Sequence, residues 1–158
     1  MADNITMHAK DSLAASLAEC YVTIDGSRYN FMSLISFEAT WTPNIVAVPI
    51  LGRTGKGHKP VGGEGSFTGT AHYNTSVLRR VLQRYQNTGY MPYFEIQVTN
   101  DDPTSETGRQ TVILHDCLLS SGVIAKFDSD GEILEEDVNG TFDSWSMPES
   151  FSELNGMM

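Results

Sequence analysis

Apolar and polar residues alternate along much of this chain, and they do so in long runs. From Phe31 to Thr42, Phe31, Ile35, Phe37, Ala39 and Trp41 fall on one side and Ser36, Glu38, Thr40 and Thr42 on the other. From Glu64 to Tyr73, Gly65, Phe67, Gly69, Ala71 and Tyr73 oppose Glu64, Ser66, Thr68, Thr70 and His72. Between Glu132 and Ser146, Leu134, Val138 and Phe142 oppose Glu135, Asp137, Asn139, Thr141 and Asp143. A period of two with one polar face predicts strands that lie between a core and water.

Shorter strands are predicted around them. Cys20–Ile24 is β-rich and ends at the hairpin signal Asp25-Gly26. Tyr93–Thr99 alternates, and Gln110–Leu119 is strongly apolar before the bend Ser120-Ser121-Gly122 and a further apolar stretch, VIAKF. Pro43-Asn44 is expected to break the first long run. Ile45–Leu51 then reads as an edge or partner-facing strand, because Pro49 cannot donate to a ladder. Gly52–Gly63 reads as a glycine-rich loop. Asn74–Gly89 is the best helix, with Leu78, Val81, Leu82 and Tyr85 on one stripe, a cap among Asn74, Thr75 and Ser76, and Gly89 at its end. Ser12–Glu19 has the pattern for two helical turns, marginal on their own. About eight strands and one central helix define a mainly β fold, a β-sandwich or partly closed barrel with a packed helix. The expected organisation is a flexible segment over 1–18, one domain over 19–150 and a short tail over 151–158.

Composition narrows the function. A net charge of −10 over 158 residues argues against wrapping nucleic acid, which needs clustered cations. The first residues carry Asp3, Asp11 and Glu19 without an apolar run, so no signal peptide is expected, and the two cysteines, Cys20 and Cys117, are expected as free thiols.

Candidate chemistry fails in each place it is sought. The basic loop holding Arg53, Lys56, His58 and Lys59 resembles a phosphate cradle, but Gly57 follows Lys56 where Ser or Thr is required, Ile50 stands where the first glycine belongs, and a strand follows instead of a helix. His115 and Cys117, expected on one strand face, have no paired ligands at metal spacing. Asp128-Ser129-Asp130-Gly131 brings its glycine too early for a calcium loop, and the acidic run Glu132, Glu135, Glu136 and Asp137 reads as a solvated strand face. The helix arginines read as partners for acidic strands. No catalytic residue, metal site or cofactor is expected. What stands out is geometric: several long strands with continuous small, polar faces, which a single subunit cannot close into a barrel but a ring of subunits can.

The ordered pieces F-E-A-x-W (Phe37–Trp41), L-G-R-T-G-K-G-H-K (Leu51–Lys59), G-S-F-T-G-T-A-H-Y (Gly65–Tyr73), P-Y-F-E-I-Q (Pro92–Gln97), V-I-L-H-D-C (Val112–Cys117), L-E-E-D-V-N-G-T-F (Leu134–Phe142) and a W-x-x-P-E-x-F end span nearly the whole chain. In that order they resemble the tail tube proteins of phages and prophage-derived tails of the PBSX type. The resemblance implies a non-enzymatic, self-assembling structural protein with a fold similar to the tube protein of type VI secretion. It implies hexameric rings stacked into a hollow tube inside a contractile sheath of a phage or an R-type bacteriocin. The implied partners are further copies, a sheath protein and a baseplate or tube initiator, with DNA present only in transit and no membrane insertion. The implied location is the particle, assembled in the bacterial cytoplasm and released on lysis. The expected inner hairpins are Phe31–Leu51 with Glu64–Tyr73, and Leu118–Phe127 with Glu132–Ser146. Their polar faces, Ser36, Glu38, Thr40, Ser66, Thr68, Thr70, Glu135, Asp137, Asn139 and Thr141, then line the lumen. Arg53, Lys56, His58 and Lys59 become an inter-ring contact loop. The alternatives are a type VI secretion-like tube protein and a small β-sandwich ligand-binding module using exposed Trp41 or Trp145.

Overall fold

The computed structural model describes residues 6–154. Residues 1–5 of the expected N-terminal segment and 155–158 of the expected tail lie outside the described residues. Eight strands and one α-helix follow in order: β1 (Ala18–Ile24), β2 (Ser27–Asn30), β3 (Leu34–Val48), β4 (Gly57–His72), α1 (Val77–Thr88), β5 (Phe94–Asp101), β6 (Arg109–Gly122), β7 (Glu135–Phe142) and β8 (Ser144–Glu149). The chain divides into two compact units. One holds the described residues up to Met32, Phe94–His115 and those from Trp145 onward; the other holds Ser33–Tyr93 and Asp116–Ser144.

In the first unit β1 pairs antiparallel with β2 and β5, with Tyr21 opposite Asn30 and Val22 opposite Ile96. The Asp25-Gly26 turn is as expected, both residues at positive φ (49° and 79°), the backbone that matches strand twist in a two-residue hairpin. Cys20, Val22, Ile24, Phe94, Ile96 and Leu114 are buried. The expected helix over Ser12–Glu19 is absent. Ala9–Asp11 makes one 3-10 turn and the chain then runs irregularly into β1. The reason is a set of competing hydrogen bonds. The buried Asp11 carboxylate accepts from Glu106 N (3.1 Å), Ser105 Oγ donates to Asp11 O (3.1 Å), and Ala14 N donates to Asp102 Oδ2 (3.0 Å). Two isolated helical turns cannot compete with bonds that tie the segment to the β5–β6 turn.

In the second unit the strand order is β6-β7-β4-β3, all neighbours antiparallel. Several expected boundaries shift. β3 passes through Pro43-Asn44 and ends at Val48, because a bulge between Pro43 and Ile45 absorbs the break. β4 starts at Gly57, so His58 and Lys59 sit in a strand, opposite Ala47 and Val46, and only Arg53 and Lys56 lie in the loop. The second hairpin is shorter than expected. β6 stops at Gly122, residues 123–134 form a loop, and the strand expected over Glu132–Ser146 divides into β7 and β8. A bulge between Leu34 and Ser36 moves Ile35 out of line, so Leu34 takes the apolar position and Ile35 is exposed.

The helix forms where expected, but Tyr85, expected on its apolar stripe, is exposed. Thr75 Oγ1 accepts from Val77 N (3.5 Å), and Gly89, at φ 74°, ends it by donating to Tyr85 O (2.8 Å). Its buried Val81 and the flanking Leu78 and Leu82 face the sheet, and Leu82 fills the space where Gly122 lacks a side chain.

Candidate functional site

Pairing turns the alternation of three strands into one surface. Ser36 stands opposite Thr70, which stands opposite Asp137. Glu38 aligns with Thr68 and Asn139, and Thr40 with Ser66 and Thr141. His72 meets Glu135 at the end of the sheet. All ten residues expected at a lumen therefore share one face of the β3–β4–β7 sheet. Thr68 Oγ1 donates to Asn139 Oδ1 (2.8 Å) and Thr70 Oγ1 to Asp137 Oδ1 (3.4 Å), so the rows are bonded across strands. Glu38, Asp137 and Glu135 place carboxylates on this face, and none of the ten residues is a cation.

The opposite face is the core. Phe67, Ala71, Val138 and Phe142 are buried there, and α1 covers it. Gly65 and Gly140 let rings cross closely: a Cβ on Gly65 would come within 2.4 Å of Phe142, and one on Gly140 within 2.3 Å of Phe67. Trp41 packs against the Phe142 ring at 6.2 Å, so it is part of this layer, half-exposed at its edge.

Glu136 also faces inward, 5% exposed, against the expectation of a solvated acidic face. In an alternating strand it has to point opposite to Glu135 and Asp137. Its charge is met by Arg79 of α1, whose guanidinium also donates to Thr75 O and Val123 O and lies 4.3 Å from the Tyr73 ring centroid. The pair pins the helix to β7. The expectation that a helix arginine pairs with an acidic strand holds for Arg79, but the sequence did not single out Glu136 as the acid or show that it is buried.

Beyond Thr42 and Glu64, β3 and β4 leave β7 behind and continue as a two-stranded arm. No acidic residue occurs between Glu38 and Glu64. The arm carries Arg53, Lys56, His58 and Lys59, all exposed, with Ile45, Val46, Val48, Ile50, Leu51 and Val61 exposed beside them.

The residues considered for metal or nucleophilic chemistry make the following contacts. Asp116 at φ 55° interrupts the alternation of β6, so Leu114 and Cys117 are both buried and His115 and Cys117 do not share a face. His115 bridges Glu95 (Nδ1–Oε1, 3.3 Å) and Ser146 (Nε2–Oγ, 3.0 Å), linking β5, β6 and β8 on a surface. Burial pushes the Cys20 thiol up to about 12, so it stays protonated. Among the described residues no group of three potential metal ligands comes together.

Residues 5–149 match the family described as phage tail tube protein. Two relatives come from Bacillus subtilis (strain 168). The phage-like element PBSX protein XkdM is 38% identical over 75% of this chain and 80% of its own length. The uncharacterized protein YqbM is 39% identical over 72% and 78%. In fold, the chain is similar to one from the sheath-tube complex of the extracellular contractile injection system PVC in its extended state (TM-score 0.66, 11% identity, 90% of this chain and 94% of that one). It is also similar to one from the anti-feeding prophage baseplate (TM-score 0.63, 11% identity, 93% and 97%). A bonded polar sheet face, an open strand edge and a relationship across nearly the whole chain converge: this protein belongs to the phage tail tube family and is a structural tube protein.

Proposed function

We propose that copies of this chain join side by side into rings and stack end to end into a hollow tube, with the β3–β4–β7 polar face lining the channel. The observation that carries the reading is the alignment of Ser36–Thr70–Asp137, Glu38–Thr68–Asn139 and Thr40–Ser66–Thr141 on the face opposite α1. The sheet ends at β3, whose outer edge is unpaired among the described residues, so a neighbour's strand can continue the sheet around the ring. Six copies per ring is the reading favoured by the six-fold symmetrised baseplate that contains a chain of similar fold. In such a channel the carboxylates of Glu38, Glu135 and Asp137 repel phosphates, and the uncharged hydroxyls add no cation to hold them, so nucleic acid passes without sticking. The role is mechanical, a conduit or a puncturing core, and needs no catalysis. A sheath around the tube, a baseplate below it and assembly in the cytoplasm before lysis complete the proposal.

Accessibility tests the sidedness. Thr68→Cys, on the polar face, and Gln83→Cys, on the exposed side of α1, are assembled separately and treated with a small maleimide and with a large maleimide–polymer. The small reagent should label both, and the large one only Gln83→Cys. Equal labelling of Thr68→Cys by the large reagent within intact tubes overturns the assignment.

A further inference from the structure

The two ends of the β3–β4–β7 sheet differ in charge. At one end the arm presents Arg53, Lys56 and Lys59, none of which makes an ion pair among the described residues, together with the fully exposed Leu51 and the exposed Ile50. At the other end β4 finishes at His72 opposite Glu135, and Tyr73 N donates to Leu134 O (3.1 Å), which brings the 123–134 loop there. That loop presents Asp128, Asp130 and Glu132 beside Phe127, 90% exposed, and the exposed Ile124 and Ile133. Its one cation, Lys126, is occupied in donating to Glu135 O (2.7 Å). Each end thus pairs three charges of one sign with bare apolar side chains.

These surfaces cannot satisfy each other within one molecule. β4 alone separates Gly57 from His72 by 15 residue steps, roughly 50 Å at about 3.3 Å per residue. We propose that the arm of one copy docks on the 123–134 loop of the next copy along the tube. Arg53, Lys56 and Lys59 then meet Asp128, Asp130 and Glu132, and Leu51 and Ile50 cover Phe127 and Ile133. The contact is heterologous: two different patches on each copy, at opposite ends of one sheet, so it repeats without limit along the strand direction. The inference rests on the tube reading above and supplies the surface that receives the arm.

Crosslinking tests it directly. Leu51→Cys and Phe127→Cys variants are prepared separately, mixed, assembled and oxidised; the native Cys20 and Cys117 are buried and do not compete. The mixture should give disulfide-linked dimers, and neither variant alone should. Intact tubes without dimers overturn the pairing and leave the tube reading standing. Wild-type protein that forms no ordered assembly overturns both.

Charge reversal tests the electrostatics. R53E/K56E/K59E and D128K/D130K/E132K should each raise the critical concentration for assembly by roughly tenfold or more. The six changes combined in one chain should bring it back. An unchanged critical concentration in either triple variant, or failure of the combined chain to recover, counts against the pairing.

Discussion

Gly140 lies where β7 passes under the Phe67 ring, and it offers a quantitative test of the packing behind the polar face. A Cβ built there would stand 2.3 Å from Leu118 O, 2.3 Å from Phe67 Cζ and 2.6 Å from Phe67 Cε1. The ring can turn, but the Leu118 carbonyl belongs to β6, held by a ladder that pairs Leu119 with Gly140. Relief requires the two strands to part by about 1 Å, against a spacing of about 4.8 Å that the ladder fixes. Overpacking of a core costs about 1–3 kcal/mol, and a backbone obstacle puts Gly140→Ala at the upper part of that range, about 2–3 kcal/mol. For a chain of this size that lowers Tm by roughly 4–12 °C. Urea unfolding followed by tryptophan fluorescence, below the concentration of assembly, reads the difference. Gly65→Ala should cost less, because the atoms it meets belong to the Phe142 side chain. Gly55→Ala, with nothing within 4 Å, should stay near wild type. If Gly140→Ala unfolds within about 0.5 kcal/mol of wild type, the close approach is wrong.

Two further outcomes are expected. Glu136→Ala leaves the Arg79 guanidinium without its carboxylate, and urea unfolding should show a loss of about 2–3 kcal/mol. That is below the 3–5 kcal/mol of a fully buried pair, because Arg79 is partly exposed and keeps Thr75 O and Val123 O. Asp102 is held below its ordinary value by the Thr104 hydroxyl and by the amides of Ala14 and Thr104. A depressed folded-state pKa adds stability that is present above the unfolded value, about 4, and is lost as pH falls through the folded one. Hydrogen exchange at Ala14 and Thr104 should therefore accelerate as pH falls below about 4 beyond the intrinsic trend, and Asp102→Asn should remove that excess.

The polar face was legible because alternation is a local property. Once Phe67 is inside, Ser66 and Thr68 have to be outside, whatever else the chain does. The helix was legible for the same reason, its stripe closed by Gly89. What escaped depends on partners distant in sequence. A helix arginine pairing with an acidic strand was expected, but which acid of the run turns inward to meet Arg79, 57 residues away, was not legible. Ser12–Glu19 has helical periodicity, but Asp102 takes the Ala14 amide, Ser105 the Asp11 carbonyl, and the Glu106 amide the Asp11 carboxylate. Bulges were equally hidden. At Ile35 a bulge drops one residue out of step, and at Asp116 a positive φ breaks the alternation; each shifts a side chain to the other face. The strand content of Gly57–Gly63 was obscured by its glycines, whose pairing with Pro43–Val48 is a matter of register and not of propensity.

The arm contains two prolines in opposing strands, Pro43 and Pro60, next to the bulge that separates Pro43 from Ile45. A proline offers no amide to an incoming strand, and a bulge twists the rim away from it. Leu34–Thr42 has neither proline nor arm partner, so its outer edge is the stretch of β3 suited to strand addition. A pool of newly made subunits therefore has little means of zipping together along the exposed arms. In the assembly proposed above, free copies would then be kept from pairing arm to arm, and growth would be confined to a correctly oriented end.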